Sequence, residues 1–561
     1  MWWISLFIFM STTDVDSSRV AAEYEILVTA KRIPMVSEYA AFSYKIIRTQ
    51  LLPVSIPYWV DAYTWINYQV ELATCYIRGI SQKHNLILVN SVPIAHELML
   101  DFGILYPLWD KIELVRGSGT LYGSAAIGGV MNFVSLPIRK TGVRVFLPTY
   151  THEGILRLSL DANLRCKGVN FQLRGIPENV STGWEVPGLR FTTRYQWGTF
   201  EYDRLTRTRR PPNGVRTDTV NLISLKLTPP FAFNPQLTVF DNRFIEHYSS
   251  TWVYSCHREH TRGMKLELRH HGTINIVVGI DILHTKFNST DVGDRERHEI
   301  AGWSRSEYVI GNLILCPTVR LDYNRTSGRV IPTYNLGVTY RGKLIVFASY
   351  GTAFRYPGFF DLYWPAQIWD GGGVEGNPNL TPESASDWQI GLRHKYFELT
   401  MFDTRIDDEI VWLPDTDNVW RPHNLGRVNS SGLELTLRYA LGILHMEGNL
   451  TYTRAMYDGT RVPYYPRWRV NLNSYIKLSD YSIFSVTYVR ETDRVDISGK
   501  KLPDVGWLDI ESRIPVDPHA VDIAQIYIKL RKPMGKEVEW LPPLSECMDE
   551  RICVGLILTI E

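Results

Sequence analysis

The chain has 561 residues and balances 60 Lys and Arg against 59 Asp and Glu, a formal net charge of +1. So even a balance gives no one-signed field that would attract nucleic acid. Tyr and Trp are abundant, 31 and 17; such amphipathic aromatics collect at the two interfaces of a membrane barrel, although a tyrosine-rich soluble β-protein has the same composition. No run of 18 apolar residues occurs, so any crossing of a membrane must be made by closed strands rather than by a helix.

The N-terminus opens with an apolar segment, Trp2 to Met10, followed by Val20-Ala21-Ala22. Residues 1–22 are read as a signal peptide with a small-residue cleavage site, although no Lys or Arg precedes the apolar segment. Glu23 to Arg32 is extended-favouring, with β-branched residues and no helix-capping signal. Two further short segments follow, Ala73-Thr74-Cys75-Tyr76-Ile77-Arg78-Gly79-Ile80 and Leu86-Ile87-Leu88-Val89-Asn90-Ser91-Val92-Pro93. From Lys111 to Val134 short apolar runs are broken by Gly117, Gly119, Gly123, Gly128 and Gly129. Glycine in this pattern suits tight turns and close strand crossings rather than a helix.

From about Val143 the apolar period becomes two. Leu433, Leu435, Leu437 and Tyr439 alternate with Glu434, Thr436 and Arg438; after Ala440-Leu441-Gly442, Leu444, Met446, Leu450 and Tyr452 alternate with His445, Glu447, Asn449 and Thr451. This predicts a hairpin with an apolar outer face and a polar inner one. Similar hairpins are expected around Arg341-Gly342, His394 to Tyr396 and Ser479-Asp480. A soluble sandwich alternates too, but the succession of hairpins shows none of the domain boundaries that a string of sandwiches needs.

The stretch Lys111–Val134 closely resembles the plug signature of TonB-dependent outer-membrane receptors. Glu23–Arg32 is similar to their TonB box, and the segments at 73–80 and 86–93 to two plug strands, with Asn90 and Ser91 where Asp-Gly is usual. Further segments that resemble the family follow in its order: Phe347 to Pro357, Gly376 to Glu383, Asn424-Leu425-Gly426 with Ser431 to Leu435, and Val462 to Pro466. The resemblance implies an all-β transmembrane protein, a 22-stranded antiparallel β-barrel over 142–561 with an N-terminal mixed α/β plug over 33–138 inside its lumen. At about 10 residues per tilted strand, roughly 200 remain for turns, so external loops should be modest. It further implies a monomer in the lipid of a Gram-negative-type outer membrane. The TonB box (23–32), through Glu25, Ile26, Leu27, Val28, Thr29 and Ala30, would add a strand to an inner-membrane TonB-type energy transducer.

The same resemblance supplies candidate sites. Arg78 and Arg116 match plug arginines that meet glutamates of the barrel wall; Glu434 matches one of these, while Gln389 stands where the other is usual. These four are expected to form a plug–wall latch, weakened by the missing charge at Gln389 or compensated by another acid. Cargo contacts are expected at the outward apices of the plug, carrying Lys83, His84, His96 and Glu97, and in the loop with Tyr363, Trp364, Trp369 and Asp370. A lone loop histidine is more often solvated than a ligand. No histidine lies between Pro357 and Asn377, where haem receptors of the family carry one. The cargo expected is a small-molecule metal chelate, a ferric siderophore first, then cobalamin or haem; iron or cobalt would arrive with it, and no resident cofactor or metal site is expected.

Asp291, Asp294, Glu296 and Glu299 read as a solvated acidic loop, lacking a calcium-loop spacing. Of six cysteines, none forms a CxxC pattern; Cys547 and Cys553 are close enough in sequence to raise a disulfide, which spacing alone does not establish. GxSxG, Walker A and HExxH patterns are absent, so the chain reads as a transporter and not an enzyme. The rival from another class is a passive porin or surface-binding barrel, which would need neither a plug nor a TonB box.

Overall fold

The computed structural model describes residues 27–28, 35–36, 63–67, 72–94, 111–135 and 141–150, then, with short breaks, 159–534 and 552–560, together with most of 40–48 and a few positions between 97 and 109. No described helix is long and apolar enough to cross a membrane. From Gly142 to Ile560 the described residues form one antiparallel ladder in which each long strand pairs with the next. It closes because Gly142–Tyr150 pairs with Ile552–Ile560, Val143 lying opposite Ile560. The ladder holds 22 strands of eight residues or more. The short pieces Gln367–Trp369, Gly372–Val374 and Thr460–Arg461 sit in connections, and the long strands pair directly past them. Closure leaves no sheet edge, which in lipid would expose unpaired backbone groups.

The period-two pattern is visible in burial. In Ile274–Ser289, Val277, Asp281, Thr285 and Phe287 are buried, whereas Val278, Ile280 and Ile282 are exposed. Across the wall Leu225, Val239, Met264, Val319, Leu321 and Leu437 are exposed in the same way. So large an apolar exterior fits lipid rather than water.

Several strands outrun the bilayer. Val419–Leu441 has 23 residues and Gly293–Ile310 has 18, against about 9–11 needed to cross. The expectation of an acidic loop is therefore corrected: Asp294, Glu296 and Glu299 lie in Gly293–Ile310, and only Asp291 lies in its turn. Within that strand Arg297 and Ala301 are buried, Glu299 shares their face, and Asp294 and Glu296 are exposed on the other.

The N-terminal part forms a five-stranded mixed sheet in the order Tyr44–Arg48, Lys111–Arg116, Gly129–Val134, Asn85–Val89, Val92–Pro93. Asn85–Val89 and Gly129–Val134 run parallel and the other pairs antiparallel. Gln82–His84 and Thr120–Tyr122 are 3-10 turns. Ile87, Val89, Leu98, Trp109, Leu114 and Phe133 of this part share one apolar core with Leu205, Val220, Phe244 and Phe287 of the barrel. The plug thus fills the lumen and is held by the same burial that forms its own interior.

Asn90 and Ser91 join two plug strands with φ of 47° and 71°, the two left-handed positions of a type I′ turn. Asn tolerates the first, and its side-chain amide donates to Glu201 of the wall at 2.9 and 2.8 Å. The Ser91 N–H donates to Asn132 Oδ1 at 2.9 Å. These bonds hold a turn that usually needs glycine.

Candidate functional site

The latch candidates meet on one patch of wall. Strand Leu72–Tyr76 ends in a tight turn, where Ile77 and Ile80 pair and Arg78 and Gly79 have φ of 53° and 77°. A Cβ on Gly79 would stand 2.3 Å from the Ala455 Cβ, so only glycine lets the turn press against the barrel. Arg78 is thereby aimed at Glu434, donating from Nε to Oε1 at 3.0 Å and from Nη2 to Oε2 at 2.8 Å. Its guanidinium also lies 4.0 Å from the centre of the Phe402 ring, and the Ser430 hydroxyl donates to its backbone carbonyl.

Arg116, the last residue of Lys111–Arg116, reaches the same carboxylate less closely, with Nε 3.4 Å from Glu434 Oε1. Its Nη1 donates to Ser43 Oγ at 2.9 Å, and that hydroxyl donates to Glu434 Oε2 at 3.2 Å. Gln389 is part of the patch: its Oε1 accepts from the Ser43 N–H at 3.0 Å, and its Nε2 donates toward the Arg116 carbonyl at 3.4 Å. Beside it Asp387 accepts from the Ser118 N–H at 3.3 Å and from the Thr404 hydroxyl at 2.7 Å. Two guanidinium groups thus face one carboxylate, and an amide bonds the plug backbone through both of its ends.

His84 does not stand at an exposed apex, contrary to expectation. It is 1 % exposed, with Nε2 2.7 Å from Glu383 Oε2 and Nδ1 3.3 Å from Ser81 Oγ. Burial lowers the pKa of the imidazole and outweighs the pull of Glu383, whose charge is already shared with Arg355 through bonds of 3.0 and 3.0 Å. The ring is therefore a neutral donor in a plug–wall contact and not a metal ligand. Lys83 is likewise committed, 2.8 Å from Glu409, although its side chain is one-third exposed.

Glu97 is committed to the wall as well. It is ion-paired with Arg297 and accepts from the Phe359 N–H at 2.8 Å. That bond pins the short helix Phe359–Tyr363 of the outer connection to the plug, and Phe359 is buried in the shared core. Arg295 lies over the Tyr363 ring at 4.4 Å, and Trp364 is packed partly against the core. Trp369 remains open, 58 % exposed, together with Ile368 and Trp420. Beside them Arg421 is ringed by Glu375 at 2.9 Å, Asp415 at 2.8 Å and Asp417 at 3.1 Å.

His96, Glu25, Ile26, Thr29 and Ala30 lie outside the described residues, as do Cys547 and the signal-peptide segment. Leu27–Val28 pairs antiparallel with Met35–Val36. Sequence reading missed the His84–Glu383–Arg355 contact, because its partners are about 300 positions apart. It also assigned no metal-ligand set, whereas the barrel brings His284, Glu296 and His298 together on its outer face. Their signal was present as Glu296 and His298 two apart in a strand.

Comparison with known proteins agrees with this architecture. The chain is 25 % identical over 475 residues to a vitamin B12 transporter BtuB of Photobacterium profundum, covering 75 % of this chain and 74 % of that one. It is 23 % identical over 421 residues to the BtuB of Vibrio vulnificus, 67 % of each chain. Among solved structures, the siderophore receptor PirA from Acinetobacter baumannii superposes with a TM-score of 0.74 at 13 % identity, covering 95 % of this chain and 100 % of that one. PirA from Pseudomonas aeruginosa gives 0.69 at 17 % identity, over 92 % and 99 %. The model of the TonB dependent receptor-like β-barrel matches residues 122–522. With that match across most of the wall, and a plug seated in the lumen behind it, the chain belongs to the TonB-dependent receptor family.

Proposed function

We propose that this receptor is an energised importer of the outer membrane, taking up a bulky metal chelate that is too large or too scarce for passive diffusion. The carrying observation is the double grip of Arg78 and Arg116 on Glu434 across a lumen filled by the plug. A passive porin needs an open lumen, and a surface-binding barrel needs no plug fastened at its base. A latch that must be opened from the periplasmic side calls for a pulling partner, and the TonB box, Glu25 to Ala30, is the segment for it.

For cargo, a corrinoid reading now leads over a ferric siderophore. The relatives that align over most of the chain are named as vitamin B12 transporters. The described outer end also presents exposed Trp369, Ile368 and Trp420 beside an arginine already surrounded by three carboxylates. Such a surface favours a large cargo with apolar faces over a highly anionic chelate, which needs uncompensated cations. The siderophore reading retains the support of the fold-level likeness to siderophore receptors.

The test uses the full receptor in cells. Deletion of Glu25 to Lys31 is expected to abolish uptake of radiolabelled cyanocobalamin while leaving binding to the cell surface intact. Uptake that survives the deletion overturns the energised reading. Absence of cyanocobalamin binding, with binding of a ferric siderophore, transfers the cargo to the second reading.

A further inference from the structure

We propose that His284, Glu296 and His298 form a divalent transition-metal site of the zinc class on the outer wall of the barrel, at the level where the apolar band ends. His284 belongs to Ile274–Ser289 and the other two to Gly293–Ile310. His284 and His298 are direct partners in the register. Glu296 and His298, two apart in a strand, project from the same face. All three ligand atoms lie within 4.8 Å of one another.

The distances suit a shared ion. Zinc binds imidazole nitrogen and carboxylate oxygen at roughly 2.0–2.2 Å, which in a tetrahedron separates neighbouring donors by ~3.3 Å. Glu296 Oε2 is 3.3 Å from His284 Nε2, and Glu296 Oε1 is 3.6 Å from His298 Nε2. The two rings stack with centroids 4.1 Å apart and planes within 8°. A rotation about χ2 of each part-exposed ring tips both lone pairs toward one point, leaving the fourth position open to water.

The donor set selects the metal. Two imidazoles and one carboxylate favour zinc, copper or nickel over magnesium or calcium, which prefer all-oxygen shells. Arg262, opposite His284 in the register, does not compete for Glu296 because Asp241 holds it at 3.0 Å. Lys286, opposite Glu296, opposes a cation and so weakens the site.

Position separates this cluster from the cargo path. Exposed Ile282 and Ile300 stand one step toward the membrane centre from His284 and His298 on their strands. The turn at 290–292 lies on the other side. A bound ion would staple the two long strands outside the bilayer, where lipid no longer supports them.

The test uses the untagged receptor in detergent. Co²⁺ is expected to bind once per chain with the visible d–d absorption of a tetrahedral site, and Zn²⁺ to displace it while Mg²⁺ does not. His284→Ala with His298→Ala should abolish the band, and Glu296→Gln should weaken binding by at least about tenfold. All three side chains are partly or fully exposed, so the variants are expected to fold, checked by retained heat-modifiability on gels. A wild-type receptor that binds no Co²⁺ at micromolar concentration, or a double variant that keeps the band, overturns the proposal.

Discussion

Arg78 and Glu434, 356 positions apart, meet through two parallel hydrogen bonds of 3.0 and 2.8 Å with the arginine almost fully buried. The geometry is the fork-on-carboxylate pairing that makes arginine the residue for such contacts. Its consequence is asymmetric. The pair adds modest net stability, but removal of the acid strands two guanidinium groups inside the lumen.

Glu434→Gln is therefore expected to loosen the seating of the plug by about 3 to 5 kcal/mol, the usual effect of breaking a buried pair. Amide exchange should accelerate at residues 76–80 and 111–116 while the barrel strands keep their protection. Unchanged exchange in those two segments would remove the latch from the account of gating.

Gln389→Glu tests the sign of the second position. The new carboxylate can still accept from the Ser43 N–H and adds a charge beside Arg116, but it loses the Nε2 donor that faces the Arg116 carbonyl at 3.4 Å. A charge-assisted bond is worth about twice a neutral one, so the variant should hold the plug more firmly, with slower exchange around Arg116 and slower energised uptake. If spin-label mobility of the plug does not change, electrostatics at this position is not what holds it.

The His84–Glu383 contact predicts a pH dependence. Burial lowers the imidazole pKa from its ordinary 6.5, so the undocked plug binds more protons than the docked one below that value. The contribution of His84 to docking is complete above about pH 6.5 and is lost as pH falls toward the depressed value. The opening of Ile77 to Asn85, read as exchange divided by the intrinsic rate at each pH, should rise as the pH falls from 7 to 5, and His84→Gln should flatten that rise. An equal rise in the variant would assign the effect to other groups.

Glu97→Gln should free the helix Phe359–Tyr363 without disturbing the base of the plug. The substitution removes the charge facing Arg297 and weakens the acceptor for the Phe359 N–H. Faster exchange in Phe359 to Trp364, with Arg78 and Arg116 protection retained, is the expected pattern. Joint loss at both places would mean that the two ends of the plug are mechanically one unit.

The wall was legible because a barrel strand repeats one rule every two residues. Leu437 and Tyr439 outward with Glu434 inward could be read without knowing any partner. The glycines were legible for a related reason: Gly117 has φ of 83° and its Cβ would stand 2.4 Å from Asp387 Oδ1, a demand few other residues meet. The cargo candidates were less legible. Lys83, His84 and Glu97 look like free polar side chains in an apex, yet each is spent on a wall residue about 200 to 330 positions away. No local pattern encodes such pairings.

Sequence alone determined the class of the molecule, from strand periodicity, the glycine-rich plug signature and the order of the barrel segments. Only the tertiary structure decided how its charges are used. Closing the ladder brings Arg78 and Arg116 to one Glu434, sinks His84 beneath Glu383, and sets His284 against His298 on the outer wall. Periodicity fixes which face a side chain takes, but register and closure fix what it meets there, and electrostatic pairing depends on distances of a few ångströms that only the closed barrel defines.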